Sequence, residues 1–171
     1  LITEVSGSET LSGMAATMST IGAALAAVPL AALATRSGRA PALATGAALA
    51  AIGAVLGLVA AIVASTVLLL IGIVMLGVGT AVNLQARFAA TDLSEPSRRG
   101  RDLSVVVWST TLGAVLGPNL IGPGAVVGEW IGIPPLAGPY LFTIAAQVAA
   151  AVIYVVGLRP DPLALATRIG L

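Results

Sequence analysis

The chain has 171 residues, a net charge of +1 and a mean hydropathy of +1.06; 58% of it is apolar and 9% charged. A soluble domain carries about 25% charged residues, so this composition excludes one and predicts a membrane protein with several spans. The basic residues are all arginines in short clusters apart from Arg87, which excludes a nucleic-acid surface, and the lack of cysteine and histidine removes the usual metal ligands and proton shuttle, so no metal and no cofactor are expected.

Leu1 to Thr10 is polar and reads as a loop, without the charged start, apolar middle and cleavage site of a signal peptide. The first apolar span follows at about 11–34, longer than the ~20 residues that cross a hydrocarbon core. In Thr35-Arg36-Ser37-Gly38-Arg39-Ala40-Pro41, Gly38 and Pro41 predict a tight hairpin into a second span at about 41–64. That span is almost all Ala, Gly, Leu, Val and Ile, with Gly53 and Gly57 as a small-xxx-small pair, and its bland surface predicts lipid exposure. Ser65 and Thr66 turn the chain into span three, about 67–90, where Thr80, Asn83, Arg87 and Thr91 recur at steps of three and four and share one helix face.

The loop from Asp92 to Asp102 holds six of the chain's fifteen charges and must be solvated. Span four, about 103–122, contains Gly113-Ala-Val-Leu-Gly117-Pro118-Asn119-Leu-Ile-Gly122. Pro118 removes a backbone hydrogen bond to Ala114, while Ser109, Gly113 and Gly117 leave one face nearly bare, so a bent helix with a flat face is expected. A Gly- and Pro-rich connection is expected from Pro123 to Pro139, then span five at about 140–158, stopped by Arg159-Pro160-Asp161-Pro162. Trp130 and Tyr140 suit a membrane–water interface. The expected fold class is all-α: a polytopic transmembrane bundle with five spans.

Arg36 and Arg39, then Arg98, Arg99 and Arg101, then Arg159 and Arg168 all fall on one face, which the positive-inside rule makes cytoplasmic together with the C-terminus. The start of the chain then lies outside, which predicts an earlier helix before it.

Taken in order, three stretches resemble the N-terminal half of a major facilitator superfamily transporter, with the five spans as that family's second to sixth helices. Leu33, Ala34, Arg36, Gly38 and Arg39 match its Gly-x-Leu-Ala-Asp-Arg-x-Gly-Arg-Arg loop, where Ala31, Thr35 and Ala40 depart from it. Asp92, Pro96, Arg98, Arg99, Gly100 and Arg101 resemble the loop after its fourth helix. Gly113-x3-Gly117-Pro118-x3-Gly122 is similar to the fifth-helix signature of its exporters, with Ser104 at an earlier glycine, while the exporters' fourth-helix arginine would fall near Ile73 and is absent here.

The resemblance implies a multi-pass protein of the cell inner membrane that moves a small molecule by alternating access, as an exporter of a drug-like or amphipathic solute. Its partners would be the lipid bilayer, the solute and the C-terminal half of the same transporter, which like the first helix lies beyond these residues. The two arginine loops would latch the cytoplasmic side, and Asp92 is expected to replace the acid missing at Thr35 by pairing with Arg36 or Arg39. A coupling proton would need a carrier elsewhere, because every carboxylate here sits in a loop or at a span end.

Thr80, Asn83, Arg87, Asn119 and Gln147 are the candidate polar pathway. Arg87 is expected to snorkel to the interface or to line the path, with its partner on another helix, and Asn119 and Gln147 to be buried donors between helices. The alternative function is a non-transporting membrane scaffold or accessory subunit whose small faces dock a partner. An enzyme is not expected, since hydrolytic or metal chemistry would need His, Cys or paired carboxylates at mid-membrane.

Overall fold

The computed structural model describes residues 9–92, 94–95, 97–163 and 165, with side chains from residue 13 onward; of the loop read over Leu1 to Thr10, Glu9 and Thr10 already belong to the first helix, while residues 1–8, Pro96 and Arg168 lie outside the described residues. Within them the chain forms helices and no strand: α1 Glu9–Ser37, α2 Arg39–Ile62, α3 Thr66–Thr91, α4 Arg99–Asn119, α5 Ile121–Trp130, a 3₁₀ turn Pro135–Ala137, and α6 Pro139–Gly157. Long apolar runs can only satisfy their backbone polar groups in lipid by closing them within a helix. Among the described residues four of the helices are long and apolar enough to cross a membrane, and α4 with α5, bent by 48° at their junction, makes a fifth when the pair is taken as one span.

The second span is not the lipid-facing helix its bland surface predicts. Twelve of the 24 residues of α2 are buried, and it touches α1, α3 and α6. The reason is side-chain size: with Ala and Gly at most positions, neighbouring backbones approach α2 from three sides. Gly53 is pressed against Gly72 of α3, where a Cβ on either would meet the other's carbonyl oxygen within 3 Å. On the far side of α3 the contact with α1 is as close, since a Cβ on Gly22 would overlap the Val74 carbonyl and one on Gly77 the Ser19 carbonyl.

Two apolar clusters fill the bundle. Leu30, Leu43, Val78, Ala81 and Val82 form one, with Tyr154 and Leu158 of the α6 region against it. Ala60, Leu69 and Ile73 form the other. Ser65 caps α3, its hydroxyl accepting from the Leu68 N–H at 3.4 Å.

The helical run does not stop at Gly122. It continues as α5 to Trp130, because Pro123 falls in the first turn of α5, where a missing N–H costs nothing. The bend lies at Leu120, two residues beyond Pro118. No residue of α4 is buried: it rests lightly on α3, while α5 is seated against the turn before α6, with a Cβ on Gly124 lying 2.7 Å from the Pro139 nitrogen.

Candidate functional site

The arginine-rich end of the bundle is organised by the single residue between α1 and α2. Gly38 has φ 99° and ψ 171°, a region essentially reserved for glycine, and offers no side chain to cap α2. The cap comes from the chain after α6: the Asp161 carboxylate accepts the Ala40 N–H at 2.7 Å and the Leu163 N–H at 3.1 Å. An anion at a helix N-terminus is favoured by the exposed N–H groups and the helix dipole. Asp161, read from sequence only as part of a helix stop, therefore ties α6 to the start of α2. The available signal was an acid placed among the arginines of one face. Gly38→Ala is expected to cost on the order of 1–3 kcal/mol from backbone strain alone, and its Cβ would lie 2.5 Å from an Asp161 oxygen; a lower midpoint in SDS unfolding checks it.

Arg39, the next residue, turns inward. Its Nε donates to Asp92 Oδ2 at 2.7 Å and its Nη2 to Asp92 Oδ1 at 3.2 Å, a two-point pairing that joins the start of α2 to the end of α3. Nη1 donates to Gln85 Oε1 at 2.9 Å, and the guanidinium lies 5.8 Å from the Phe88 ring centroid. Both charged side chains are about 15% exposed or less. Of the two partners expected for Asp92, the structure thus selects Arg39; Arg36 is exposed and makes no ion pair among the described residues. The remaining loop residues lie outward. Arg98 pairs loosely with Glu95 at 3.7 Å, Arg99 donates to the Ser94 carbonyl, Gly100 accepts from Ser104, and Arg101 is exposed.

The polar stripe on α3 is partly assembled. Asn83 Nδ2 donates to Thr110 Oγ1 of α4 at 3.2 Å, and Arg87 Nη2 donates to Asn83 Oδ1 at 3.2 Å. The partner of Arg87 is therefore on its own helix rather than on another, and Asn83 carries the link across to α4. A cavity of about 350 Å³ lies beside this pair, lined among others by Leu43, Asn83, Val106, Ser109 and Tyr154. Thr80 is exposed and apart from the cluster. Asn119 is exposed and donates to the Val115 carbonyl of its own helix, not to a neighbour, because the α4 face it sits on has no neighbour in this chain. Gln147 is half-buried on α6 and faces α3 at Gly79.

The bare face of α4 is open. A Cβ on Gly113, Gly117 or Gly122 would meet nothing within 4 Å, and Ser109 and Pro118 are exposed beside them. Among the described residues no group of three or more His, Cys, Asp or Glu could hold a metal ion.

An all-α bundle of apolar helices long enough to cross a membrane, with a paired arginine and aspartate joining two of them at one end, defines a multi-pass membrane protein. The profile of the Major Facilitator Superfamily matches residues 1–169, and the chain belongs to that family. It is 40% identical over 169 residues to the uncharacterized MFS-type transporter YddS of Bacillus subtilis (strain 168), covering 99% of this chain and 39% of that protein. To the uncharacterized MFS-type transporter YdeG of the same organism it is 38% identical over 166 residues, covering 95% of this chain and 38% of that one. The chain thus spans about two fifths of the length of these relatives. No solved structure matches it.

Proposed function

We propose that these helices form most of one half of an inner-membrane exporter that moves a drug-like or amphipathic solute by alternating access, two halves rocking about a central site. The observation that carries the reading is the flat face of Ser109, Gly113 and Gly117 on a bent helix, with open space among the described residues at both glycines. A face so free of side chains suits close approach of another helix, and the C-terminal half of the transporter is the partner in this proposal. The arginine-rich end is cytoplasmic by the positive-inside rule, and the Arg39–Asp92 pair belongs to the latch that holds this end closed. Proton coupling, where the exporter uses it, is assigned to a carboxylate outside these spans.

The test uses the full-length protein in a bacterium stripped of its own efflux pumps. Export of cationic, neutral and anionic fluorescent amphiphiles is compared for the wild type, Gly113→Leu and Gly117→Leu. The expected result is export by the wild type and its loss in both variants at unchanged membrane abundance, because a Cβ at either position has no described atom within 4 Å. Export that survives both substitutions removes α4 from the moving interface. A wild type that exports none of the dyes, and whose variants lose a bound partner, favours the scaffold.

A further inference from the structure

Arg87 lies about one turn inside the end of α3, and its surroundings are incomplete. Its Nε is buried and has no hydrogen-bond acceptor, and its Nη2 is held by Asn83. It forms no ion pair among the described residues, while the nearby acids are engaged elsewhere. Asp92 is bound to Arg39, Glu95 lies by Arg98, Asp102 accepts from Ser94 at 2.6 Å, and Asp161 caps α2. Glu129 sits on α5, beyond the bend of the next span. A partly buried guanidinium whose Nε has no acceptor is favoured by an anion, and its planar fork suits the two oxygens of a carboxylate or a phosphate.

Asn83 joins this group to the cavity. It lines the 350 Å³ space, whose other walls include Leu43, Val106 and Tyr154, and its amide is fixed in turn by Thr110. A guanidinium joined through Asn83 to an open, mostly apolar pocket of this size matches a small molecule with an oxyanion head and an apolar body. From this juxtaposition we propose that Arg87, positioned by Asn83 and Thr110, is the head-group site for an amphipathic organic anion, and that the solute handled by this protein belongs to that class. The proposal rests on the transporter reading for its purpose and on the Arg87 geometry for its chemistry.

The test is equilibrium binding to the purified full-length protein in detergent, with matched probes of one body: 1-naphthoate against 1-naphthamide, and 1-naphthyl phosphate against 1-naphthol. The wild type is expected to bind at least one of the two anions more tightly than its neutral match. Arg87→Gln is expected to weaken that anion roughly tenfold to a hundredfold, the range of a lost charged hydrogen bond, without changing the neutral probe. Arg87→Lys, which keeps the charge but not the fork, should recover part of the loss. Equal binding of anion and neutral match, or anion affinity untouched by Arg87→Gln, overturns the proposal. So does the absence of anion binding by a wild type that Arg87→Gln strongly destabilises, since the partner of Arg87 is then an acid of the protein itself. Because binding is read without transport, naphthoate bound by a protein that exports none of the dyes sinks the exporter reading alone. Export unaffected by Arg87→Gln with no anion binding sinks this one alone.

Discussion

Asp92→Ala is expected to destabilise the protein by about 3–5 kcal/mol, because it strands a buried arginine without its counter-charge. Arg39 is 14% exposed and Asp92 15%, so water cannot replace the lost partner at little cost. Gln85 and the Phe88 ring remain to Arg39, but neither carries a negative charge. Replacing both members, as Arg39→Met with Asp92→Leu, should recover most of that loss, since a buried pair is often no more stabilising than apolar side chains of similar volume. SDS unfolding of the wild type, the two singles and the double gives the coupling between them. A strictly additive double variant would mean that the two residues act independently. Where the recovered stability comes without recovered export, the pair serves the closing of this end more than the folding of it.

A leucine at Gly22 or Gly77 should be equally damaging for a different reason. Overpacking usually costs about 1–3 kcal/mol, and these sites should lie at or above the top of that range, because the obstructing atoms are main-chain carbonyls rather than movable side-chain ends. The expected outcome is a sharp fall in the amount of protease-resistant protein in the membrane. Gly113→Leu is the matched control, with the same added volume on a helix where nothing lies within 4 Å. Equal accumulation of Gly77→Leu and Gly113→Leu would contradict the close crossing of α1 and α3.

Hydropathy makes the helices legible, because lipid imposes length and apolarity on a run such as Thr66–Thr91 whatever it packs against. It says little about which helix is central. An alanine face against lipid and one against protein are equally apolar, so α2 reads as peripheral although half of it is buried. The family resemblance narrows the partner of Asp92 to two arginines, and the choice of Arg39 depends on where α2 begins, a matter of one residue. Asp161 escaped because its role lies across the bundle, 121 positions from Ala40. Asn119 was misplaced because a buried amide was expected on a helix whose neighbours in this chain leave that face uncovered.

The joint at Gly38 sets what kind of movement is open to these helices. A single residue spans at most about 3.3–3.6 Å, and with ψ at 171° this one is already drawn out, so α1 has no slack to slide past α2 by a helical turn of about 5.4 Å. Piston strokes between the two are ruled out by chain length alone. With α1 clasped to α3 at Gly22 and Gly77, and α3 to α2 at Gly53 and Gly72, the three helices are locked backbone to backbone, and Arg39 and Asp92 tie α2 to α3 at the Gly38 end.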